Sequence, residues 1–274
     1  MSESTKTKRT TKNPNDSVMI LGSGSATPTV QNSPSGQIVT LSDKSFLVDC
    51  GEGVQITMSR LGVKTSRLYA VFISHLHGDH CFGLLGLISS FALKKRTQPL
   101  HVYAHADLEK LLRPMLDYHC KDVMLFDLIF HPINPRKSET IFEDRTISVE
   151  TVPLKHRVPT CGFLFVEKRR GQEPVKRYAY CSDTMYNLKM VDQLHGVETL
   201  YHEATYTEQY AERASVAGHS TAKQAASIAK QAEVKKLIIG HFSARVKEHQ
   251  EFLVEAKEVF ENTVLAEERS TIEI

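Results

Sequence analysis

Ser74-His75-Leu76-His77-Gly78-Asp79-His80 gathers four potential metal ligands, His75, His77, Asp79 and His80, into six consecutive positions. Imidazole and carboxylate donors suit zinc and also admit manganese. The motif follows the strand-like run Ala70 to Ile73 and precedes the apolar, helix-length stretch Phe82 to Leu93. In an extended chain alternate side chains share a face, so His75 and His77 point the same way. Gly78 then permits a tight turn that carries Asp79 and His80 round to a second position close by. One loop can therefore feed two metals, and chance histidine clusters rarely have this form.

Two metals need more donors than one loop holds. Three further candidates stand just beyond strand-like runs. His156 ends Pro153-Leu154-Lys155-His156 after ISVETV, Asp183 follows YAYCS, and His241 follows KKLIIG. Two more residues have acid–base character. Glu203 lies in Tyr201-His202-Glu203-Ala204-Thr205-Tyr206, and His219 in Gly218-His219-Ser220-Thr221. The latter opens an Ala-rich helix that Ser220 or Thr221 can cap. A histidine at a helix entrance, oriented by a glutamate, is suited to protonate a leaving alkoxide.

Positioning these groups requires a scaffold. Strand-length apolar runs recur at 18–21, 46–48, 70–73, 149–152, 162–166, 178–180 and 237–239. Helix-length stretches lie between several of them, at 82–93, 107–118 and 221–231. Strands and helices mixed along the whole chain imply layered α/β architecture. Candidate ligands that follow strand ends imply a site along one sheet edge, on loops held by a rigid frame.

Composition narrows the function classes. The 274 residues are 41% hydrophobic and 24% charged, enough apolar material for a sizeable core. No apolar run has the length of a membrane span. Residues 1–16 are polar and basic and read as a disordered tail, with 17–274 as one domain. Five cysteines without a CxxC pair fit reduced thiols, and the expected compartment is the cytoplasm. A net charge of +2 does not announce a nucleic-acid binder. Local basic clusters do occur, at Lys94-Lys95-Arg96, Arg136-Lys137, Lys168-Arg169-Arg170 and Lys176-Arg177.

HxHxDH, a later His, an Asp after a strand and a final His together resemble the ordered ligand set of metallo-β-lactamase-fold hydrolases. The resemblance implies an αββα four-layer sandwich. It assigns His75, His77 and His156 to one metal and Asp79, His80 and His241 to the other, with Asp183 bridging. The expected cofactors are two Zn2+ per chain, with Mn2+ as the alternative. His77 stands where iron-binding flavin-linked relatives carry Glu, which argues against that branch. Two divalent cations about 3.5–4 Å apart generate hydroxide at neutral pH and stabilise a developing phosphorane.

The His-Glu-Ala-Thr and His-Ser-Thr segments, with Gly240-His241-Phe242-Ser243-Ala244-Arg245 and the early LGSGSATP, resemble tRNase Z. That likeness implies a homodimeric endoribonuclease that removes 3′ trailers from precursor tRNA. Its implied catalytic residues are Asp79, Glu203 and His219. Two departures stand out. Pro28-Thr29-Val30-Gln31-Asn32 lacks the basic residues many members carry there. Only 26 residues separate His156 from Asp183, too few for the family's long tRNA-gripping arm. The turn EKRRGQEPVKR, with five basic residues, is the expected reduced substitute. The alternative readings are another phosphodiesterase of this fold, acting on small or different RNA substrates, and a non-catalytic RNA-binding scaffold. Retention of all seven ligands disfavours the scaffold.

Overall fold

The structure is a computed structural model that describes residues 16–30 and 32–274. The expected tail lies outside the described residues apart from Asp16, which is buried and accepts the Ser42 N–H at 3.0 Å. The strands are β1 (Ser17–Gly22), β2 (Gly36–Leu41), β3 (Lys44–Cys50), β4 (Leu68–Phe72), β5 (Leu100–His105), β6 (Leu128–Ile133) and β7 (Thr140–Glu143). They continue as β8 (Ile147–Pro153), β9 (Cys161–Glu167), β10 (Val175–Cys181), β11 (Thr199–Glu203), β12 (Lys236–Gly240), β13 (Thr263–Leu265) and β14 (Thr271–Glu273). Two sheets result, ordered β14-β1-β2-β3-β4-β5-β6 and β13-β12-β11-β10-β9-β8-β7.

Why the strands are almost uniformly apolar follows from their two faces. Val18, Ile20, Phe46, Val48, Ala70 and Phe72 of the first sheet meet Phe163, Phe165, Tyr178, Tyr180 and Ile238 of the second in one core. The intervening residues face outward into two other cores. Leu21, Leu47 and Val71 pack under helices of the first sheet, and Ala179, Cys181, Leu237 and Ile239 under helices of the second. The first helical layer is α1 (Val54–Arg60), α2 (Gly78–Cys81), α3 (Gly83–Leu93) and α4 (Asp107–Cys120). The second contains α5 (Val191–Leu194), α6 (Ala211–Ala217), α7 (Ala222–Gln231) and α8 (Gln250–Lys257). A strand buried on both sides cannot alternate polar with apolar, so period-2 patterning is replaced by sorting between cores. The layers are helix, sheet, sheet, helix, as the family resemblance implied.

Strands that lead to most candidate ligands lie in parallel runs, β3 to β6 in the first sheet and β10 to β13 in the second, while β8, which leads to His156, pairs antiparallel with β7 and β9. The C-terminal ends of each parallel run therefore lie together. β4 delivers His75, β10 delivers Asp183, β11 ends in Glu203 and β12 delivers His241. Thr221, rather than Ser220, caps α7, through a reciprocal capping box with Gln224. Among the described residues no helix is long and apolar enough to cross a membrane.

Candidate active site

The structure brings the seven candidate ligands into two adjoining groups. His75, His77, His156 and Asp183 form one, and Asp79, His80 and His241 the other. In the first group His77 Nδ1 lies 3.0 Å from His75 Nε2 and 3.4 Å from His156 Nε2. Asp183 faces both. Its Oδ2 is 3.6 and 3.7 Å from Nε2 of His75 and His156, while its Oδ1 is 3.2 Å from Nε2 of both His80 and His241. Asp79 Oδ2 stands 3.5 Å from the same two Nε2 atoms. Donors bound at ~2.1 Å in a tetrahedron are ~3.4 Å apart, so these spacings fit metal coordination.

A second observation supports the fit. Nε2 of His80 and of His241 is buried without a hydrogen-bond partner, a costly condition unless the nitrogen ligates. The other nitrogen of each ring is held. Asp49 Oδ2 accepts from His80 Nδ1 at 2.7 Å, Thr205 Oγ1 from His241 Nδ1 at 2.8 Å, and the Gly218 carbonyl from His156 Nδ1 at 2.7 Å. Such partners fix the tautomer and aim the ligating nitrogen. Gly218 (φ 83°) must be glycine, since a Cβ would crowd the His156 ring. Burial holds His75, His77 and His156 below the usual histidine range, which keeps them neutral for metal binding. Burial alone would raise Asp183, but His241, His80 and His75 outweigh it and keep the carboxylate well below its usual range.

Gly78 plays a different part from the expected tight turn. His77 is the N-cap of the short α2, and Gly78 does not have positive φ. Its missing Cβ instead makes room for the Phe82 ring. Asp79 is anchored by the Ala26 N–H at 2.7 Å. That contact comes from the glycine-rich first loop, which also pairs with Phe242 beside His241.

Glu203 and His219 meet at the edge of the ligand cluster. The fully buried Glu203 carboxylate accepts from His219 Nδ1 at 2.8 Å, from the Thr184 and Thr205 N–H groups, and from Thr205 Oγ1 at 2.6 Å. Those bonds set its orientation. Burial disfavours charge on His219, yet Glu203 outweighs it and raises the imidazole to about 9. Nδ1 is 4.0 Å from Asp183 but is committed to Glu203, which leaves Nε2 to meet a substrate. A cleft of about 790 Å³ opens here, lined also by the exposed arginines Arg157, Arg213 and Arg245.

Sequence reasoning missed Asp49. It stands at the end of β3, fully buried, and accepts from the Ser74 N–H and Oγ, His80 Nδ1 and Tyr180 OH at 2.7–2.8 Å. Its signal was available: a carboxylate closing the apolar run Phe46 to Val48, as Asp183 closes YAYCS. Arg157 and Arg213 were also missed, because single arginines carry no motif.

The basic hairpin between β9 and β10 is not the free cationic patch that was expected. Arg177 is fully buried between Glu167 and Glu198, with both contacts at 2.7 Å. Lys168 pairs with Glu143 and Arg169 with Glu167, while Lys176 Nζ donates to the carbonyls of Gln193 and His195. The hairpin also lies at the start of β10, roughly 25 Å of strand from Asp183.

Comparison with known proteins identifies the family. Ribonuclease Z of Phocaeicola vulgatus is 43% identical over 94% of this chain and 97% of its own length. Ribonuclease Z of Azobacteroides pseudotrichonymphae is 45% identical over 94% and 98%. The chain belongs to the ribonuclease Z family. Human tRNase Z short form superposes with a TM-score of 0.78 at 27% identity, covering 94% of this chain and 99% of that one. Residues 17–261 also match the family model described as Anti-Pycsar protein Apyc1.

Proposed function

We propose that this ribonuclease Z family member removes the 3′ trailer of precursor tRNA by phosphodiester hydrolysis, leaving a 3′-hydroxyl on the tRNA. The observation that carries the reading is the Glu203–His219 pair set beside two ligand groups that share Asp183. His75, His77 and His156 would hold one cation, Asp79, His80 and His241 the second, and Asp183 both. Two Zn2+ ions per chain suit this nitrogen and oxygen donor set, with Mn2+ as the alternative. When bound, the cations supply a nucleophile from water at neutral pH and offset charge on the phosphoryl oxygens. Arg157, Arg213 and Arg245 line the cleft without acidic partners among the described residues, and they orient the scissile phosphate. As the bond from phosphorus to the 3′-oxygen breaks, His219 delivers the Nε2 proton to that oxygen while Glu203 keeps Nδ1 in place.

Five free, buried cysteines support residence in a reducing compartment, the cytoplasm. Exposed Ile56, Phe82 and Leu93, at 53%, 72% and 70%, support a homodimer that covers the adjoining α1 and α3, which sedimentation velocity reads directly.

The test is incubation of metal-loaded protein with a precursor tRNA and mapping of the product ends. A tRNA ending in a 3′-hydroxyl and a trailer bearing a 5′-phosphate are expected. Hydrolysis of bis(p-nitrophenyl) phosphate without cleavage of the precursor would move the assignment to another phosphodiester.

A further inference from the structure

Beside the metal cleft a second concavity, a groove of about 1090 Å³, shares a wall with it. Lys155 and His156 line the groove, and the next residue, Arg157, lines the cleft. A strand lying in the groove is therefore continuous with one whose phosphate sits at the metals. The wall is fixed by backbone contacts: Met185 N–H to the Lys155 carbonyl at 2.8 Å, and Lys155 N–H to Thr184 Oγ1 at 3.1 Å.

The groove's chemistry is that of a polyanion site. Arg136, Lys155 and Lys189 line it, all exposed and none ion-paired among the described residues. Among the described residues Asp192 is the only acidic one of the lining. The contrast with the hairpin is direct, since there Lys168, Arg169 and Arg177 are already neutralised by carboxylates. The groove also presents an aromatic face. Tyr186 is 36% exposed, and its hydroxyl is held against α7 by Ser227 Oγ at 3.1 Å and Gln231 Nε2 at 3.0 Å. The ring is thus a fixed surface, and exposed Leu188 follows it. Cations that follow a backbone, beside a ring on which a base can stack, are the parts of a single-strand site. A duplex keeps its bases stacked inside and offers such a ring nothing.

We propose that the groove formed by Arg136, Lys155, Tyr186 and Lys189 binds the unpaired RNA 3′ of the scissile phosphate, the trailer. This rests on the precursor-tRNA reading, in which the trailer is the longer unpaired segment next to the cut. Tyr186 stacks on a trailer base, and the three cations contact successive phosphates.

Two measurements test it. Binding of a fluorescein-labelled eight-nucleotide RNA is followed by anisotropy for the unaltered protein, Tyr186→Ala, Tyr186→Phe and the double variant Arg136→Glu/Lys189→Glu. Loss of the ring is expected to weaken binding about tenfold, and Tyr186→Phe to retain most of it. The double variant is expected to weaken binding and flatten its logarithmic salt dependence by about 0.7 for each phosphate it no longer neutralises. In parallel, KM is compared for precursor tRNAs carrying a ten-nucleotide and a one-nucleotide trailer. The double variant should raise KM about tenfold more for the long trailer than for the short one. An equal rise for both would mean that the groove holds the tRNA body, and no rise for either would make it mere surface; each overturns the proposal. Failure of the unaltered protein to cut tRNA, with oligonucleotide binding intact and sensitive to these variants, would fault the reaction assigned above and leave the groove standing.

Discussion

Asp49 and His241 both adopt left-handed backbone conformations, with φ of 56° and 63°, and both stand where a strand ends at the metal-binding cluster. Such conformations cost non-glycine residues about 1–3 kcal/mol and persist where the surroundings enforce them. At Asp49 the enforcing contacts are four hydrogen bonds, one of them to His80. Asp49→Asn keeps the shape but replaces an acceptor oxygen with a donor, against donors only. Metal affinity is expected to fall about 10–100-fold, read by competition with a chromophoric chelator; unchanged affinity would show that His80 is aimed by other contacts. His219 makes a separate prediction. His219→Ala should lower kcat about 10²–10⁴-fold while elemental analysis still returns the unaltered protein's metal content. Metal lost in step with activity would make His219 a ligand, since Asp183, His219 and His241 also lie within ligating distance of one another.

Between elements, charge pairs join segments that the hydrophobic cores only press together. Arg177 on β10 joins Glu167 at the end of β9 to Glu198 just before β11, all three buried. Arg177→Ala would leave the buried carboxylates with only their outer cations, Arg169 on Glu167 and Lys235 on Glu198, and a loss of about 1–3 kcal/mol is expected in urea unfolding. Arg177→Met should cost less if Glu167 and Glu198 are replaced by glutamine alongside it. A second pair joins the two sheets. Lys44 of β3 meets Asp144 in the β7–β8 turn at 2.6 Å, and Asp144 also accepts the Thr146 and Ile147 N–H groups. Burial would raise Asp144, but Lys44 and those N–H groups outweigh it and hold it at about 2. A folded value below the unfolded one stabilises the fold above the usual aspartate range, and that stability is lost as pH falls toward 2. Unaltered protein and Asp144→Asn should therefore differ by on the order of 1 kcal/mol at pH 6, and the gap should close by about pH 2. A gap that stays constant with pH would point to the turn's shape instead of the carboxylate's charge.

For the whole molecule, the two sheets meet at the cluster of candidate metal ligands. Ligands come from loops after β4, β8, β10 and β12, so a bound cation joins the first sheet to the second. Cations that bind only the folded chain add about 2.7 kcal/mol when present at a hundred times their dissociation constant. Chelation and dialysis should lower Tm by several degrees, since each kcal/mol moves a domain of this size by roughly 2–4 °C. Restored Zn2+ should reverse the change. A Tm indifferent to chelator would mean that the layers are held together by the central core alone, with the site prepared in advance.

What the sequence determined by itself was chemistry carried by residue type and near neighbours. Four donors in six positions, acidic and histidine residues at the ends of apolar runs, and a capped helix behind His219 are local patterns, and local patterns survive without a fold. Layered α/β architecture was legible for a related reason, because strands buried on both faces must be apolar throughout and must alternate with helices that cover them, while the αββα order followed from the family resemblance. Strands such as β6, half-exposed and containing Pro132, gave no such signal. Tertiary structure alone decided partnership. The five cations of the hairpin read as a patch until the fold set carboxylates beside Lys168, Arg169 and Arg177, while Arg136, Lys155 and Lys189, scattered in sequence, came together without ion pairs among the described residues. It likewise decided that the two oxygens of Asp183 face different histidine sets and that Asp49 supports His80. The physical reason is that a charge is written in one residue, but its neutralisation depends on register and packing between segments far apart in the chain.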